Sequence, residues 1–469
     1  MNTDRIDRSK EQIALPKSDY TSLSTGRVLL EATLRLRGSR CLQLLREIAH
    51  NPFAPTSESS SKQLARLSHL LAHAEARVPY YREMFRSLRI HSSDIRSLSD
   101  FSQLPILTKR EIREREPEFL CEGVDPQKLF KGSSGGSTGE PLNFYYDQTT
   151  LDASEAATFR NLLQSGWHPG EMIGLFIGFD KRTRQVGHWE FEVRQMVRRM
   201  YQFNSFHCGE EEMDGWIRKF RRIGVRVVIG FPSTLARFAK HILETRSRIS
   251  AIRGVFTTGE KLFIDQREII AEAFKCPIFD CYGSSEVRNI ATECSHGRMH
   301  INTDYVVLET AASSGPPGEP EPIVLTSLWN YVMPFIRYRN EDYGGLLSDT
   351  CNCGNNFPLM RLDVGRVSDN FIMPDGRVVH GQFFTHTMYR SEGIANFQFH
   401  QTAPDAITLW LVPGHGTAEA RESVIRAAVE QINTLSSLPI KVEVHEVDVI
   451  PVSPTGKHRY TRSDVISHT

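Results

Sequence analysis

The sequence predicts an α/β protein with a large N-terminal domain of mostly parallel sheets and flanking helices. A hinge joins this domain to a small α+β C-terminal domain. The 469 residues are too many for one compact core. Between about residues 130 and 283, short apolar runs alternate with helical stretches, which is the pattern of βαβ units. A turn-rich stretch at 364–376 precedes a second, smaller strand–helix–strand pattern.

Composition excludes several classes of protein. Lys+Arg and Asp+Glu both number 56, and this zero net charge argues against a dedicated nucleic-acid binder. No apolar run approaches the roughly 20 residues of a membrane-spanning helix, and the first 20 residues lack the apolar core of a signal peptide. We therefore expect a cytoplasmic protein with no membrane partner. Eight cysteines are too few for a disulfide scaffold, so we expect free thiols or metal ligands.

The first part of the chain is helical in pattern. Residues 1–24 are polar and aperiodic, whereas leucines recur at helical spacing over 26–50 and again over 61–76. Pro79 ends the second of these helices. Neither helix carries residues that suggest chemistry.

The strands and helices that follow set the position of any ligand site. Ligands of parallel α/β sheets bind outside the carboxyl ends of the strands. The predicted strands of the large domain are 173–178, 225–231, 254–259, 277–283, 321–328 and 335–345, with helices over 150–165, 211–222, 233–246 and 262–274. The small domain has strands at 407–412 and 440–447 around a helix at 417–434. We place the boundary near Ser368, giving domains 1–367 and 368–469.

A Gly/Ser-rich stretch from Gly132 to Pro141 is the strongest local signal. Its four glycines permit unusual backbone angles, and its hydroxyls and backbone N–H groups suit polyphosphate oxygens. It lacks the Gly-Lys-Ser/Thr of a Walker loop. The residues alone leave open a flexible linker.

This stretch resembles the phosphate loop of the adenylate-forming superfamily, which includes acyl-CoA synthetases, adenylation domains and luciferases. Glu140 stands where many members have lysine. The resemblance implies that ATP phosphates contact Ser133, Ser134, Gly135, Gly136, Ser137, Thr138 and Gly139.

Two later motifs resemble the same superfamily. Gly259-Glu260 is similar to the turn that borders the acyl and adenine pockets. Residues 280–286, Asp-Cys-Tyr-Gly-Ser-Ser-Glu, resemble its Tyr-Gly-x-Thr/Ser-Glu motif, which implies that Tyr282 packs on adenine and that Glu286 binds Mg²⁺. An aromatic face suits a purine, and a carboxylate oxygen suits Mg²⁺. The resemblance also assigns Asp280, Gly283, Ser284 and Ser285 to the nucleotide.

Three more elements follow in the superfamily's order. Residues 337–342 resemble Arg-Tyr-x-Thr-Gly-Asp, so Asp342 is implied to accept hydrogen bonds from the ribose, although Asn340-Glu341 replaces the usual Thr-Gly. Gly365–Asp369 resembles the hinge motif, with Arg366 reaching the nucleotide and Asp369 as the pivot. Lys457, in a Pro-x-x-x-x-Gly-Lys loop, is implied to be catalytic and to bridge the acyl carboxylate and the phosphate.

The N-terminal half narrows the resemblance. The stretch 73–85 and the Pro-Ile-Leu-Thr-Lys phrase at 105–109 resemble the phenylacetate–CoA ligase branch, including CapK-like proteins. After the hinge, residues 373–389 depart from the Gly-x-Asn-x-x-Pro-x-x-Ile-Glu phrase of that branch. This departure weakens the prediction that CoA is the acyl acceptor more than it weakens the prediction of adenylation.

The resemblance implies a ligase that uses ATP and Mg²⁺ to activate a carboxylic acid as acyl-AMP and then forms a thioester with CoA. An amine or hydroxyl acceptor stays open because of the altered hinge region, as does a non-catalytic nucleotide- and zinc-binding scaffold. By family analogy the acyl pocket contains Phe206, His207, Phe231 and Phe256, which favours an aryl or arylacetic acid. Related ligases include homodimers, so a homodimer is left open.

A group of cysteine and histidine residues predicts a zinc site, independently of the motifs above. Cys294 and His300 are followed by Cys351 and Cys353, and thiolates with imidazole are the ligands of tetrahedral zinc. His296 is the alternative histidine. The other interpretation is four unrelated residues, since free cysteines are often buried.

Overall fold

The computed structural model describes residues 24–133, 142–177, 188–205, 209–249, 251–311, 321–364, 370–380, 384, 388, 393–414, 417–451 and 459–465. None of the helices in these ranges combines the length and the apolar character that crossing a membrane would require.

The N-terminal segment is a group of helices packed on the large sheet. The predicted helix over 26–50 is two helices, because Gly38 adopts a left-handed φ of +66° between them. The next predicted helix is longer at both ends and stops at Arg77, and a new helix begins at Pro79, whose missing N–H is harmless at that position. The helices are α1 Thr25–Leu36, α2 Cys41–Ile48, α3 Thr56–Arg77, α4 Pro79–Leu88, α5 Leu98–Phe101 and α6 Lys109–Glu114.

A small hairpin and an eleven-stranded sheet follow. The hairpin pairs β1 Phe130–Ser133 with β2 Asn143–Tyr146. The sheet strands are β3 Met172–Ile177, β4 Met200–Asn204, β5 Val225–Gly230, β6 Gly254–Thr258, β7 Ile278–Tyr282, β8 Ala291–Glu293, β9 Met299–Ile301, β10 Val306–Thr310, β11 Glu321–Ser327, β12 Tyr338–Leu347 and β13 Leu359–Val364. The helices of this part are α7 Gln148–Leu163, α8 His188–Val197, α9 Glu210–Ile223, α10 Pro232–Glu244 and α11 Ile264–Phe274.

The large sheet has the strand order β10-β11-β12-β13-β9-β8-β7-β6-β5-β3-β4. Neighbouring strands from β4 to β7 are parallel, and those from β7 to β10 are antiparallel. The predicted α/β class is therefore confirmed. Among the described strands of this sheet, parallel pairing is confined to the five strands β3 to β7, which belong to the βαβ region.

The last part of the chain forms a second, smaller sheet of order β18-β17-β16-β19. Its strands are β16 Ile394–Ala403, β17 Ala406–Pro413, β18 Lys441–Glu446 and β19 Thr461–Ser463, and α12 Ala418–Asn433 connects β17 to the parallel strand β18. Before it, β14 Asn370–Ile372 pairs with β15 Val378–His380. The buried cluster around this sheet is drawn from residues 371–440. The boundary near Ser368 lies outside the described residues and stays a prediction.

Candidate active site

The Gly259-Glu260 turn and the first turn of α10 meet at the carboxyl edge of the parallel strands. β5 ends at Gly230 and α10 begins at Pro232, while β6 ends just before the Gly259-Glu260 turn. Gly259 has a φ of +80°, which favours glycine. The Glu260 carboxylate accepts a hydrogen bond from the Ser233 N–H at 3.1 Å, so the turn after β6 is tied to the first turn of α10.

Tyr282 and Asp342 are joined directly, although 60 residues separate them. The Tyr282 hydroxyl donates to Asp342 Oδ2 at 2.8 Å. Asn340 Nδ2 lies 2.8 Å from both the Tyr282 hydroxyl and Asp342 Oδ2, and the Asn340 side chain is buried. In the sequence, Asn340 stands out only as a departure from the usual threonine. In the structure it fixes the tyrosine implied for adenine against the aspartate implied for ribose.

Backbone hydrogen bonds and an ion pair hold the start of β12, the strand that carries Asp342. The Leu107 N–H donates to the Arg337 carbonyl and the Arg339 N–H donates to the Leu107 carbonyl, both at 2.9 Å, so the Pro-Ile-Leu-Thr-Lys phrase lies beside β12. The Arg337 guanidinium is buried and pairs with Glu309 at 3.1 Å. Arg337 therefore has a structural role here.

Glu286 has one bonded oxygen and one unsatisfied oxygen. The Tyr338 hydroxyl donates to Glu286 Oε1 at 3.2 Å. Glu286 Oε2 is buried and has no hydrogen-bond partner among the described residues. A buried carboxylate oxygen without a partner is costly, so this position suits a bound cation. Tyr338 was absent from the predicted site, since its role is visible only once β12 lies beside the Glu286 loop.

The loop from Gly283 to Glu286 is a tight turn. A Cβ on Gly283 would lie 3.1 Å from the Asn289 backbone nitrogen, so a glycine lets the loop fold back. The Ser284 hydroxyl accepts the Val287 N–H at 3.0 Å and the Ser284 N–H donates to the Val287 carbonyl at 2.9 Å. Ser284 thus shapes the loop, while Ser285 and Glu286 line a small neighbouring cavity.

Asp280 lies in a buried network beside this loop. The Thr257 hydroxyl donates to Asp280 Oδ1 at 2.7 Å, and the Asp280 N–H donates to Glu293 Oε2 at 2.9 Å. Arg267 pairs with the same Glu293 oxygen at 2.6 Å. Burial, with the Glu293 charge in support, raises the pKa of Asp280 to about 6. Thr257 and Glu293 carried no motif signal in the sequence.

The Gly/Ser-rich stretch begins in the β1–β2 hairpin. Ser133 pairs with Asn143, so the two ends of the intervening segment lie together. A Cβ on Gly132 would lie 2.3 Å from the Phe144 ring, which explains the glycine there. The residues Ser134, Gly135, Gly136, Ser137, Thr138 and Gly139 lie outside the described residues.

Other predicted site residues also lie outside the described ranges: Arg366, Asp369, Lys457, Phe206 and His207. Of the remaining acyl-pocket residues, Phe231 is buried where the chain enters α10. Phe256 is 1% exposed and stacks on Phe279 with ring centroids 4.8 Å apart, so its side chain contributes to the core.

The predicted cysteine and histidine residues form a compact cluster. The ligand atoms of Cys294, His300, Cys351 and Cys353 all lie within 4.8 Å of one another. Cys294 Sγ and Cys351 Sγ are 3.8 Å apart, and Cys353 Sγ lies 3.3 Å from His300 Nε2. The alternative histidine, His296, is exposed and is not a member of this group.

The surroundings of the cluster orient its ligands. His300 Nδ1 lies 2.8 Å from the Phe357 carbonyl, so Nδ1 carries the proton and the Nε2 lone pair faces the sulfurs. The hydrogen bond with Cys353 lowers the pKa of Cys294. Because Cys294 follows β8 and His300 lies in β9, the cluster ties this hairpin to the segment before β13.

The chain is similar in sequence to proteins of known name. No protein-family model matches the chain. Protein CapK of Staphylococcus aureus is 22% identical over 405 residues, covering 82% of this chain and 85% of CapK. Phenylacetate–coenzyme A ligases of Thermus thermophilus and Escherichia coli are 26% and 27% identical, covering 68% of this chain and 73% and 74% of their own lengths.

The fold has a solved counterpart. A 2-hydroxyisobutyryl-CoA ligase in the postadenylation state superposes with a TM-score of 0.69 at 20% sequence identity, covering 88% of this chain and 91% of that ligase. These findings confirm the resemblance inferred from the motifs. The chain is similar to CapK and to phenylacetate–CoA ligases, and it has the fold of adenylate-forming enzymes.

Proposed function

We propose that this adenylate-forming chain, similar to phenylacetate–CoA ligases, is an AMP-forming acid–thiol ligase. It uses ATP to convert a carboxylic acid to acyl-AMP and pyrophosphate, and then transfers the acyl group to CoA as a thioester. The observation that carries the proposal is the joint placement of two elements. The Tyr282–Asp342 pair is fixed by Asn340, and Glu286 presents a buried, unsatisfied oxygen on the loop that follows Tyr282.

Each of the predicted site residues has a role in the adenylation reaction that we propose. In the first step, an acid oxygen attacks the α-phosphorus and the bond from that phosphorus to the pyrophosphate oxygen breaks. Tyr282 offers a face for adenine, and Asp342 accepts hydrogen bonds from ribose hydroxyls. Glu286 would hold Mg²⁺, which neutralises phosphate charge when bound. Lys457 would stabilise the negative charge that develops between the acid and the α-phosphate.

A contact between the two parts of the chain supports the role of Lys457. Tyr460 follows Lys457 by three residues, and its ring lies 6.5 Å, edge to face, from that of Phe263. Phe263 in turn follows Glu260 by three residues. From the resemblance to adenylate-forming enzymes, we also propose that residues 368–469 form the mobile small domain, with Asp369 as its pivot.

The test is acid-dependent ATP–pyrophosphate exchange with aryl, arylacetic, fatty and amino acids, which also tests the proposed preference for an aryl or arylacetic acid. We expect exchange with one acid class, and a thioester identified by mass when CoA is added. Lys457→Ala should lose exchange by at least about 100-fold while still binding ATP. Unchanged exchange in that variant would refute the lysine assignment. An amide or ester in place of the thioester would refute CoA as the acceptor.

We also propose that Cys294, His300, Cys351 and Cys353 bind one structural Zn²⁺. Tetrahedral bonds of about 2.3 Å to sulfur and 2.0 Å to nitrogen require about 3.8 Å between two sulfurs and about 3.5 Å between sulfur and nitrogen. The observed separations of 3.8 Å and 3.3 Å fit these values. A site with four protein ligands is closed, so the metal would have a structural task.

The metal content of purified protein tests this assignment. We expect one zinc per chain in the wild type and in Cys276→Ser, which alters a half-buried cysteine outside the cluster. Cys351→Ser should lower the content well below one. Zinc far below one per chain in wild-type protein prepared without chelators would refute the site.

A further inference from the structure

We propose that Arg288 binds the β- and γ-phosphates of ATP and then the departing pyrophosphate. This inference rests on the proposed function and adds a residue to its substrate site. None of the motifs that identified the other nucleotide contacts includes this position.

Asn289 fixes the backbone next to Arg288. It adopts a left-handed φ of +50°, a conformation that asparagine tolerates better than most residues. Its side-chain Nδ2 donates to the Ser154 carbonyl at 3.0 Å, and its Oδ1 accepts from the Thr158 hydroxyl at 3.1 Å. Asn302 Nδ2 donates to the Asn289 carbonyl at 2.8 Å. These bonds anchor the loop to α7. They thereby fix the direction in which the Arg288 side chain extends from the backbone.

The Arg288 side chain shares a cavity with Glu286. Tyr146, Thr150, Ser285 and Asn330 also line this cavity. The Arg288 guanidinium lies 5.4 Å from the centroid of the Tyr146 ring, close enough for a cation–π contact. Tyr146 ends β2 and pairs with Phe130, three residues along the hairpin from the Ser133–Asn143 pair that flanks the Gly/Ser-rich segment. The guanidinium therefore lies near both the implied magnesium ligand and the β1–β2 hairpin.

Arg288 interacts electrostatically with the Glu155 carboxylate but forms no direct ion pair with it. Among the described residues it forms no ion pair within 4 Å, whereas buried Arg160 and Arg337 are both paired with carboxylates. The planar guanidinium suits phosphate oxygens because two parallel N–H groups can bind them together. When the bond to the α-phosphorus breaks, negative charge builds on pyrophosphate. A cation beside Glu286 would stabilise that charge.

The test compares ligands that have and lack the outer phosphates. Isothermal titration with magnesium pyrophosphate and with AMP would be run on wild type, Arg288→Gln and Arg226→Gln. Arg226 is exposed at the amino end of β5, opposite to the site. We expect Arg288→Gln to weaken pyrophosphate binding by about 10- to 100-fold, with AMP affinity within about twofold. Arg226→Gln should bind both ligands as wild type does.

The outcomes separate this proposal from the proposed function. If wild type binds AMP and pyrophosphate and Arg288→Gln binds both equally well, the Arg288 assignment is refuted while the ligase proposal stands. An equal loss of AMP and pyrophosphate affinity would also refute it, because the effect would then be general to the site. If wild type binds neither ligand, both proposals fail.

Discussion

Replacing Asp280 by asparagine should stabilise the protein at neutral pH and much less in acid. The Asp280 carboxyl is buried beside Glu293, and its pKa is about 6 in the folded chain against about 3.9 in an unfolded one. The folded state therefore holds this proton more tightly. Wild-type stability contributed by this group falls as the pH rises from about 4 to about 6, and the full penalty is present above the folded pKa.

The size of the effect follows from the two pKa values. Their difference corresponds to about 3 kcal/mol at pH 7.5 and about 1 kcal/mol at pH 4.5. Asparagine keeps the oxygen that accepts the Thr257 hydroxyl and removes the charge. The stability gain of Asp280→Asn should thus grow by about 2 kcal/mol between pH 4.5 and 7.5. Arg267, which pairs with Glu293, lowers the pKa of Asp280, and the value of about 6 already includes this effect.

Thermal unfolding at several pH values measures this gain. In a domain of this size, 2 kcal/mol raises Tm by roughly 3 °C. Glu272→Gln, which neutralises an exposed carboxyl on neighbouring α11, should show no such pH-dependent gain. A gain of Asp280→Asn that is equal at pH 4.5 and 7.5, or a destabilisation at pH 7.5, would refute the reasoning.

Three further predictions concern single residues. Asn340→Ala removes both bonds that fix Tyr282 against Asp342, and AMP affinity measured by calorimetry should fall by roughly 10-fold. Glu341 has a φ of +69°, so Glu341→Gly should leave stability equal or raise it by up to about 1 kcal/mol in urea unfolding, while Glu341→Ala, which keeps the Cβ, should give no gain. Cys353→Ser should lose zinc and lower Tm, and a wild-type Tm would contradict a structural metal.

Much of the fold followed from local signals. The runs that became β3, β5, β6 and β7 are short and mostly apolar because most of their side chains are covered on both faces of the sheet. The antiparallel half was harder to predict, since β8 and β9 have only three residues each and carry no periodicity. The prediction of one continuous helix over 26–50 was wrong. The leucine spacing continues across Gly38, but the left-handed backbone conformation of Gly38 ends the helix.

The residues of the candidate site also fall into two groups, those predictable from local motifs and those visible only in the fold. Tyr282, Glu286 and Asp342, which we propose contact the nucleotide and its metal, lie in local motifs and were predicted from them. Residues that position these groups come from other strands and need no fixed spacing. Asn340 lay within a motif and was read only as a deviation, while Tyr338 and Thr257 became visible through hydrogen bonds across the sheet.

The nucleotide product of a single turnover tests the central claim most directly. Wild-type protein would be mixed with ATP, Mg²⁺ and the acid selected by the exchange assay, without CoA, and the products identified by mass. The account predicts acyl-AMP and pyrophosphate in equal amounts, with AMP and thioester formed after CoA is added. ADP and phosphate in their place would show that attack occurs at the γ-phosphate, and would contradict the assignment of this chain as an adenylate-forming ligase.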